Sequence, residues 1–394
     1  MSGWPQVALS DCCEIVGGAT PSTLERRYWG GAIHWATPKD LSDLEGDYLD
    51  STARTLTPDG LASCSASVLP VRSVLFSSRA PIGLAAINRV PVATNQGFKS
   101  LIPRPGRIHA EYLLHWLRAH RPMLESLGNG ATFKEVSKSI VSRVTLPLPP
   151  LGEQRRIAEV LDRAETLRAQ RRQALAHLDA LAESIFLYLF NDSSSKRWMR
   201  LAIGEVAMTM RTGPFGSQLL HSEFVESGVA VLGIDNVVQN DFVWARPRYI
   251  TESKFKQLQK YRVTAGDVLV TIMGTCGRCA IVPDDVPVAI NTKHLCCIRL
   301  DQSRCLPSYL QAVLLTHPDV LHRLGVHERG AVMPGLNMQV IRELEIPLPP
   351  LPVQERFRAV IVAVKQHKAE MAKSLQQLDA LFACLQNLAF RGEL

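Results

Sequence analysis

Two stretches of about forty residues, offset by 200 positions, carry apolar side chains at the same three- and four-residue steps. With Ile157 as position a of a heptad, the a residues are Ile157, Ala164, Arg171, Leu178 and Ile185. The d residues are Val160, Leu167, Ala174, Leu181 and Tyr188, so Arg171 alone breaks the stripe. The same register later gives Phe357, Val364, Met371, Leu378 and Leu385 at a, with Val360, His367, Ser374, Leu381 and Leu388 at d. This spacing predicts two helices with coiled-coil seams, each about 60 Å long. Polar residues on a seam fix register and orientation at some cost in stability, the role expected of Arg171, His367 and Ser374. The stripes are similar and neither has another partner in the chain, so the helices are expected to pair with each other.

Each helix follows a proline hinge, "LPLPPLGEQ" and "IPLPPLPVQ", with proline at the entry where its missing N–H costs nothing. Residues 144–190 align with 344–390 without a gap, placing Gln154 on Gln354, Arg156 on Arg356 and "LDAL" on "LDAL". Upstream the match is looser. "VLFSSRAPIGLAAI" lies over "VLVTIMGTCGRCAI", and "ATNQGFK" over "AINTKHL", which sets Asn95 on Asn291 as a shared turn. Between the hinges run short apolar or alternating segments broken by Gly, Pro, Asn and Asp, with an amphipathic helix near 111–127 and another near 307–324. The expected fold is α+β. Two globular domains of twisted, mostly antiparallel sheet (1–145 and 198–345) each precede a spacer helix (146–190 and 346–394). The polar segment 191–197 is the linker, and the whole is a tandem repeat, pseudo-twofold if its helices pair as an antiparallel coiled coil.

Composition narrows the chemistry. A net charge of +7 from 44 basic and 37 acidic residues, with no basic tail, permits a polyanion partner contacted by shaped surfaces and equally suits an ordinary basic enzyme. The opening "MSGWPQVALSDC" has no basic segment followed by an apolar core, and no run of eighteen apolar residues occurs, so a cytoplasmic protein is expected. Among nine cysteines, Cys276 and Cys279 form C-x-x-C and Cys296 is adjacent to Cys297. Adjacent cysteines rarely aim both sulfurs at one ion, and the C-x-x-C pair replaces Ile82 and Ala85 of the first half, so buried thiols are expected and no metal site. The chain has no adenine-methyltransferase N-P-P-[FY] or D-P-P-[FY] loop and no phosphate-binding G-x-x-x-x-G-K-[ST] loop. Asp241 with Glu252–Lys254 is the nearest approach to a nuclease cluster, and it reads as a solvated charge run. No catalytic residue is assigned.

Two related but non-identical modules on paired helices make a ruler, and duplex DNA offers a matching pseudo-dyad. An asymmetric two-part DNA site with an unread gap is therefore expected. The duplicated "PLPPL" helices, with variable domains opening "VALSDCCEIVGGATPS" and continuing "IHWATPKDL", resemble the specificity subunits of type I restriction-modification enzymes over nearly the whole chain. The second half departs in having "GIDNVV" where the first has "TPKDL". The resemblance implies a non-catalytic DNA-reading subunit with two target recognition domains, docking two methyltransferase subunits and joined by restriction/translocase subunits. S-adenosylmethionine, ATP and Mg would then be used by those partners, with no cofactor in this chain. Candidate DNA contacts are Thr20, Ser22, Arg26, Arg27, Lys39 and Arg79 in the first domain, and Arg211, Ser217, Gln218, Asn236, Arg278 and Lys293 in the second. The helix-pair seam is expected at Ile157, Val160, Leu167, Leu178 and Leu181 against Phe357, Val360, Val364, Leu378 and Leu381. A protein-binding scaffold or a stand-alone nuclease are the alternative readings.

Overall fold

The computed structural model describes residues 3–129, 134–190, 198–325 and 336–394; the linker expected at 191–197 lies outside the described residues. The chain forms two compact units, of which the first is assembled from two separate segments and the second is continuous. One comprises Met1–Arg172 with Lys373–Leu394, the other Gln173–Ala372. Each unit holds one α+β domain, the first half of the helix that follows it, and the final half of the other helix. The long helices are Leu151–Phe190 and Leu351–Arg391.

In the first unit a five-stranded sheet runs in the order Cys13–Gly17, Lys99–Pro103, Val74–Ser78, Ile82–Asn88, Tyr48–Leu49. It is antiparallel except at the Tyr48–Leu49 edge. A second sheet orders Arg54–Leu56, Trp29–Ala36 and Val92–Thr94, the last two being parallel. The second unit repeats the plan. An antiparallel sheet orders Ala207–Thr212, Leu295–Leu300, Val268–Thr271 and Cys279–Ile281, and a mixed one Tyr249–Ile250, Val229–Leu232, Ala289–Asn291 and Arg262–Val263. Again the central pair, Val229–Leu232 and Ala289–Asn291, is parallel.

The helices expected near 111–127 and 307–324 are each two helices, Ala110–Ala119 with Arg121–Ser126 and Pro307–Thr316 with Pro318–Arg323. Proline ends the run: His317, before Pro318, is held extended at ψ 121°. Ala110–Ala119 lays Leu113, Leu114 and Leu117 on Val74, Phe76 and Ile87 of the large sheet, and Tyr309, Leu310 and Val313 do the same for the second unit.

The proline hinge is a strand before it is a helix start. Thr145–Pro147 pairs antiparallel with Gln6–Ala8, and Glu345–Pro347 with Arg200–Ala202, so each hinge is stitched to the opening of its own domain. The repeated glutamine then locks the helix end. Gln154, fully buried, accepts from His109 N at 2.8 Å and donates to the Arg107 and Pro149 carbonyls at 3.1 and 2.8 Å. Gln354 accepts from Leu306 N at 2.8 Å and donates to the Arg304 and Pro349 carbonyls at 3.0 and 2.8 Å. Tyr112 and Tyr309 add a hydroxyl bond each, to the Pro147 and Pro347 carbonyls.

The helix seam differs from the expected one. Within the first unit, Ile157 and Leu161 pack with Phe382, Leu385 and Ala389; within the second, Ile185, Phe186 and Leu189 pack with Phe357 and Ile361. The helix segments pair through positions a and e of the heptad, a column that also steps by three and four. Leu167, Leu181, Val360 and Leu381, expected on the seam at d, are instead 40 to 51% exposed, and Val160 is only half-buried. Ile157 and Phe357 are buried on the seam and Leu178, Val364 and Leu378 are half-buried, as a residues. His367 likewise faces solvent, 3.6 Å from Glu370, and is no register-fixing seam residue. That role falls to charges at e: Arg168 pairs with Asp379 at 2.6 Å in the first unit, and Lys368 with Asp179 in the second. Both acids belong to the repeated "LDAL", so the same bond forms twice with the helices exchanged, which requires antiparallel pairing in each unit.

Candidate nucleic-acid interface

In each unit the parallel strand pair ends at one place, and the loops leaving it form a platform. A glycine ends the first strand of the large sheet there because the backbones touch. A β-carbon on Gly18 would lie 2.1 Å from the Asn95 carbonyl oxygen, and one on Gly213 would lie 2.1 Å from that of Asn291. The turn leaving the second strand is clamped alike in both. Asp40 accepts from Thr37 N at 2.8 Å and from Ala53 N at 2.9 Å, while Asn236 accepts from Gly233 N at 2.8 Å and donates to the Val243 carbonyl at 2.8 Å. Asn236 is buried and spent on this clamp, so the structure removes it from the base-reading candidates.

The registers also correct the alignment of Asn95 with Asn291. Ala36 pairs with Thr94 and Leu232 with Asn291, so Asn291 corresponds to Thr94 and Asn95 to Thr292. Asn95 caps its own turn at Gly97 N, 2.8 Å away, whereas Asn291 is fully buried and donates to the Leu295 carbonyl at 2.9 Å.

In the first domain two indoles brace the loop that carries Thr20 and Ser22. Trp35 Nε1 donates to the Ala19 carbonyl and Trp29 Nε1 to that of Ser22, both at 3.1 Å. The rings meet edge to face with centroids 4.9 Å apart. Thr20 bonds Gln96 across the platform. Ser22 is exposed, as are Arg26 and Arg27 on the turn Arg26–Tyr28, and Arg27 lies over the Tyr28 ring. Lys39 is exposed on the short helix Pro38–Ser42, which Thr37 and Asp40 cap. Arg79 sits 3.8 Å from Glu135, which also holds Lys99 at 3.0 Å, so part of its charge is already answered.

The second platform is less uniform. Arg211 turns inward, donating to the Arg262 carbonyl and lying 4.0 Å from buried Asp267, so it is a structural residue and no surface reader. Ser217 and Gln218 are exposed on the turn Gly216–Gln218, though Gln218 accepts from the Tyr261 hydroxyl at 2.7 Å. Arg278 is exposed in the hairpin joining Val268–Thr271 to Cys279–Ile281. Lys293 is half-buried on the platform beside His294. Sequence reasoning passed over Trp29, Trp35, Arg54, Asp235 and Arg248. Arg54 lies over the Trp29 ring at 3.5 Å, and Arg248 pairs with Asp235.

The remaining chemistry dissolves into structure. Cys296 and Cys297 point to opposite faces of their strand, Cys296 with Cys279 and Cys305 in one core and Cys297 in another. Burial pushes the Cys296 thiol up to about 12 and raises those of Cys279 and Cys297 as well. Among the described residues no three His, Cys, Asp or Glu side chains converge as metal ligands. Asp241 pairs with Lys365 and Lys254 with Glu223, so these charges are held in two separate ion pairs. No described helix is long and apolar enough to cross a membrane.

Burial is the largest cause holding His109, His294 and His317 below the ordinary imidazole range. Lys293 and Arg248 add to the effect at His294, while Glu111 and Asp319 oppose it at His109 and His317. Below pH about 6.5 the unfolded chain takes up protons that the folded chain refuses, so the contribution is intact above that pH and lost as pH falls. The denaturation midpoint is expected to be lower at pH 5.5 than at pH 7.5, with the fall reduced in H317Q. Equal midpoints at the two pH values would contradict the burial argument.

A duplicated α+β module with common anchors and divergent strand-end loops, carried on paired helix segments, defines a tandem two-platform protein. The model of the type I restriction modification DNA specificity domain matches it twice, over residues 1–177 and 196–387, and the chain belongs to that family. It is 26% identical to the type I restriction enzyme MjaIX specificity subunit of Methanocaldococcus jannaschii, over 99% of this chain and 93% of that protein. To the StySPI specificity subunit of Salmonella potsdam it is 22% identical, over 100% and 89%. Among solved structures, a chain from work on complex assembly and conformational transition of the type I R-M system aligns with TM-score 0.63 at 18% identity, covering 100% of this chain and 98% of that one. The S subunit from M. genitalium gives 0.56 at 13% identity, covering 99% and 96%.

Proposed function

We propose that this chain is the DNA-reading subunit of a type I restriction-modification complex, each domain reading one half of an asymmetric two-part site. The carrying observation is the contrast within the repeat. Gln154 and Gln354 make the same three bonds, and the strand plan is shared, yet the platform loops carry different residues in the two domains. A shared frame with divergent loops suits two readers of different sequences.

The helices set the gap and receive the methyltransferase subunits. Each has an apolar arc wider than one partner uses: a and e face the other helix, while Leu167, Leu181 and Tyr188 on one, and Val360 and Leu381 on the other, remain exposed. Repeated apolar side chains left in water along a helix suit a further helical partner. Methyl transfer, with S-adenosylmethionine, and ATP- and Mg-dependent cutting belong to the partner subunits.

The test is a genome-wide map of methyladenine in cells with and without this gene, with its methyltransferase expressed. A two-part motif that vanishes on deletion is the expected result. Exchanging residues 1–143 for those of a related subunit should then alter one half of the motif only. A map indifferent to both changes would favour a protein-binding scaffold.

A further inference from the structure

The two domains place an arginine at the same position of the fold, although sequence alignment does not bring the two together. Trp35 and Val231 are equivalent, each being the middle residue of the parallel pairing, opposite Ala93 and Ile290. Opposite Trp35 on the antiparallel side stands Arg54, and opposite Val231 stands Arg248, whose carbonyl accepts from Val231 N at 2.8 Å. Arg54 follows Trp35 by 19 residues and Arg248 follows Val231 by 17, so an ungapped comparison misses the match.

We infer that Arg54 and Arg248 are specificity-determining residues, one for each half of the DNA site, with Arg54 reading a guanine; this rests on the DNA-reading function proposed above. Arg54 is exposed, lies 3.5 Å over the Trp29 ring and 5.4 Å from that of Trp35, and its guanidinium joins no ion pair or hydrogen bond among the described residues. The indoles that hold it are those whose N–H groups brace the Ala19–Ser22 loop. Stacking fixes the long side chain before DNA arrives and leaves the N–H edge of the fork unspent. A planar fork with free donors matches the O6 and N7 acceptors of guanine in the major groove.

Arg248 has different company. It pairs with Asp235, and its guanidinium lies 2.4 Å from where a Gly233 β-carbon would stand, so a larger residue there would have to push the guanidinium aside. Arg248 Nε and Asp235 Oδ2 are buried without partners, so the pair is made through one prong only. The second domain thus presents a half-buried guanidinium already tied to a carboxylate where the first presents exposed donors alone. One position of one fold, differently partnered, reads different bases.

The experiment is selection from a random duplex library by the full chain assembled with its methyltransferase partner, comparing wild type with R54Q, R54K and R248Q. R54Q should reduce the preference for guanine at one position of one half-site by roughly tenfold or more, leaving the other half sharp. R54K keeps charge and stem but loses the fork, and should relax the same position. R248Q should relax a position in the opposite half. An unchanged motif, or a uniform loss of affinity with a shallower salt dependence, would overturn the assignment and make these arginines bystanders or phosphate anchors. If R54Q does not assemble, R54K decides the matter by the same criterion. Failure of the wild-type complex to select any two-part motif would instead defeat the DNA-reading function itself.

Discussion

Replacing Gln154 with alanine is expected to destabilise the first unit by about 3 to 5 kcal/mol, since three buried hydrogen bonds are lost together. The His109 N–H and the Arg107 and Pro149 carbonyls would be left without their partner, in a place where Gln154 has no exposure to solvent. Most of the cost is that desolvation penalty, because a lone hydrogen bond contributes only about 1 kcal/mol net. Gln354→Ala should do the same to the second unit. Glutamate is no remedy at either position, for it keeps the acceptor, loses both donors and buries a charge. Arg156 is the internal control. It recurs at the same offset in the repeat but is exposed and pairs with Glu153, so R156A should leave the unfolding midpoint nearly unchanged. Denaturant unfolding followed by a probe in each domain measures this, since two units need not melt together. Q154A and R156A with equal effects would remove the glutamine from its role as the lock between domain and helix.

The second large effect is a change of site geometry without a change of bases. Inserting seven residues into each long helix, between Arg172 and Gln173 and between Ala372 and Lys373, adds two helical turns where the units divide. Neither unit loses a residue it packs with, and the heptad keeps a and e in phase across the insertion. Seven residues add about 10 Å of helix. At 3.4 Å per base pair that is roughly three base pairs of added gap. The methylation map should therefore show both half-sites intact with a longer unread spacer, and the original spacing should be lost. An unaltered spacer in a stably folded variant would mean that something other than the helices sets the distance.

Much of this protein is legible in its sequence because the informative signals are local and periodic. The ungapped repeat, the two helices, the proline entries and the alternation of domain with helix follow from spacing along one chain, where apolar steps of three and four permit little besides a helix with a buried stripe. Family resemblance rests on the same residues. What the sequence could not decide was which of two overlapping stripes is buried. Columns a/d and a/e are both apolar and both step correctly, and the choice of a/e depends on how Leu161, Phe382 and Ala389 meet within the folded unit. The platform was equally hidden. Asn236 has the residue type of an adenine reader, yet its side chain is consumed by Gly233 and Val243, while Arg54 acquires its importance only because the sheet sets it against Trp29 and Trp35. Strand pairing joins residues far apart in sequence through loops of unequal length, and no periodicity records that. The sequence alone determined the repeat, the helices and the two-domain plan through local pattern; tertiary packing alone decided which side chains are spent on structure and which remain free to meet DNA.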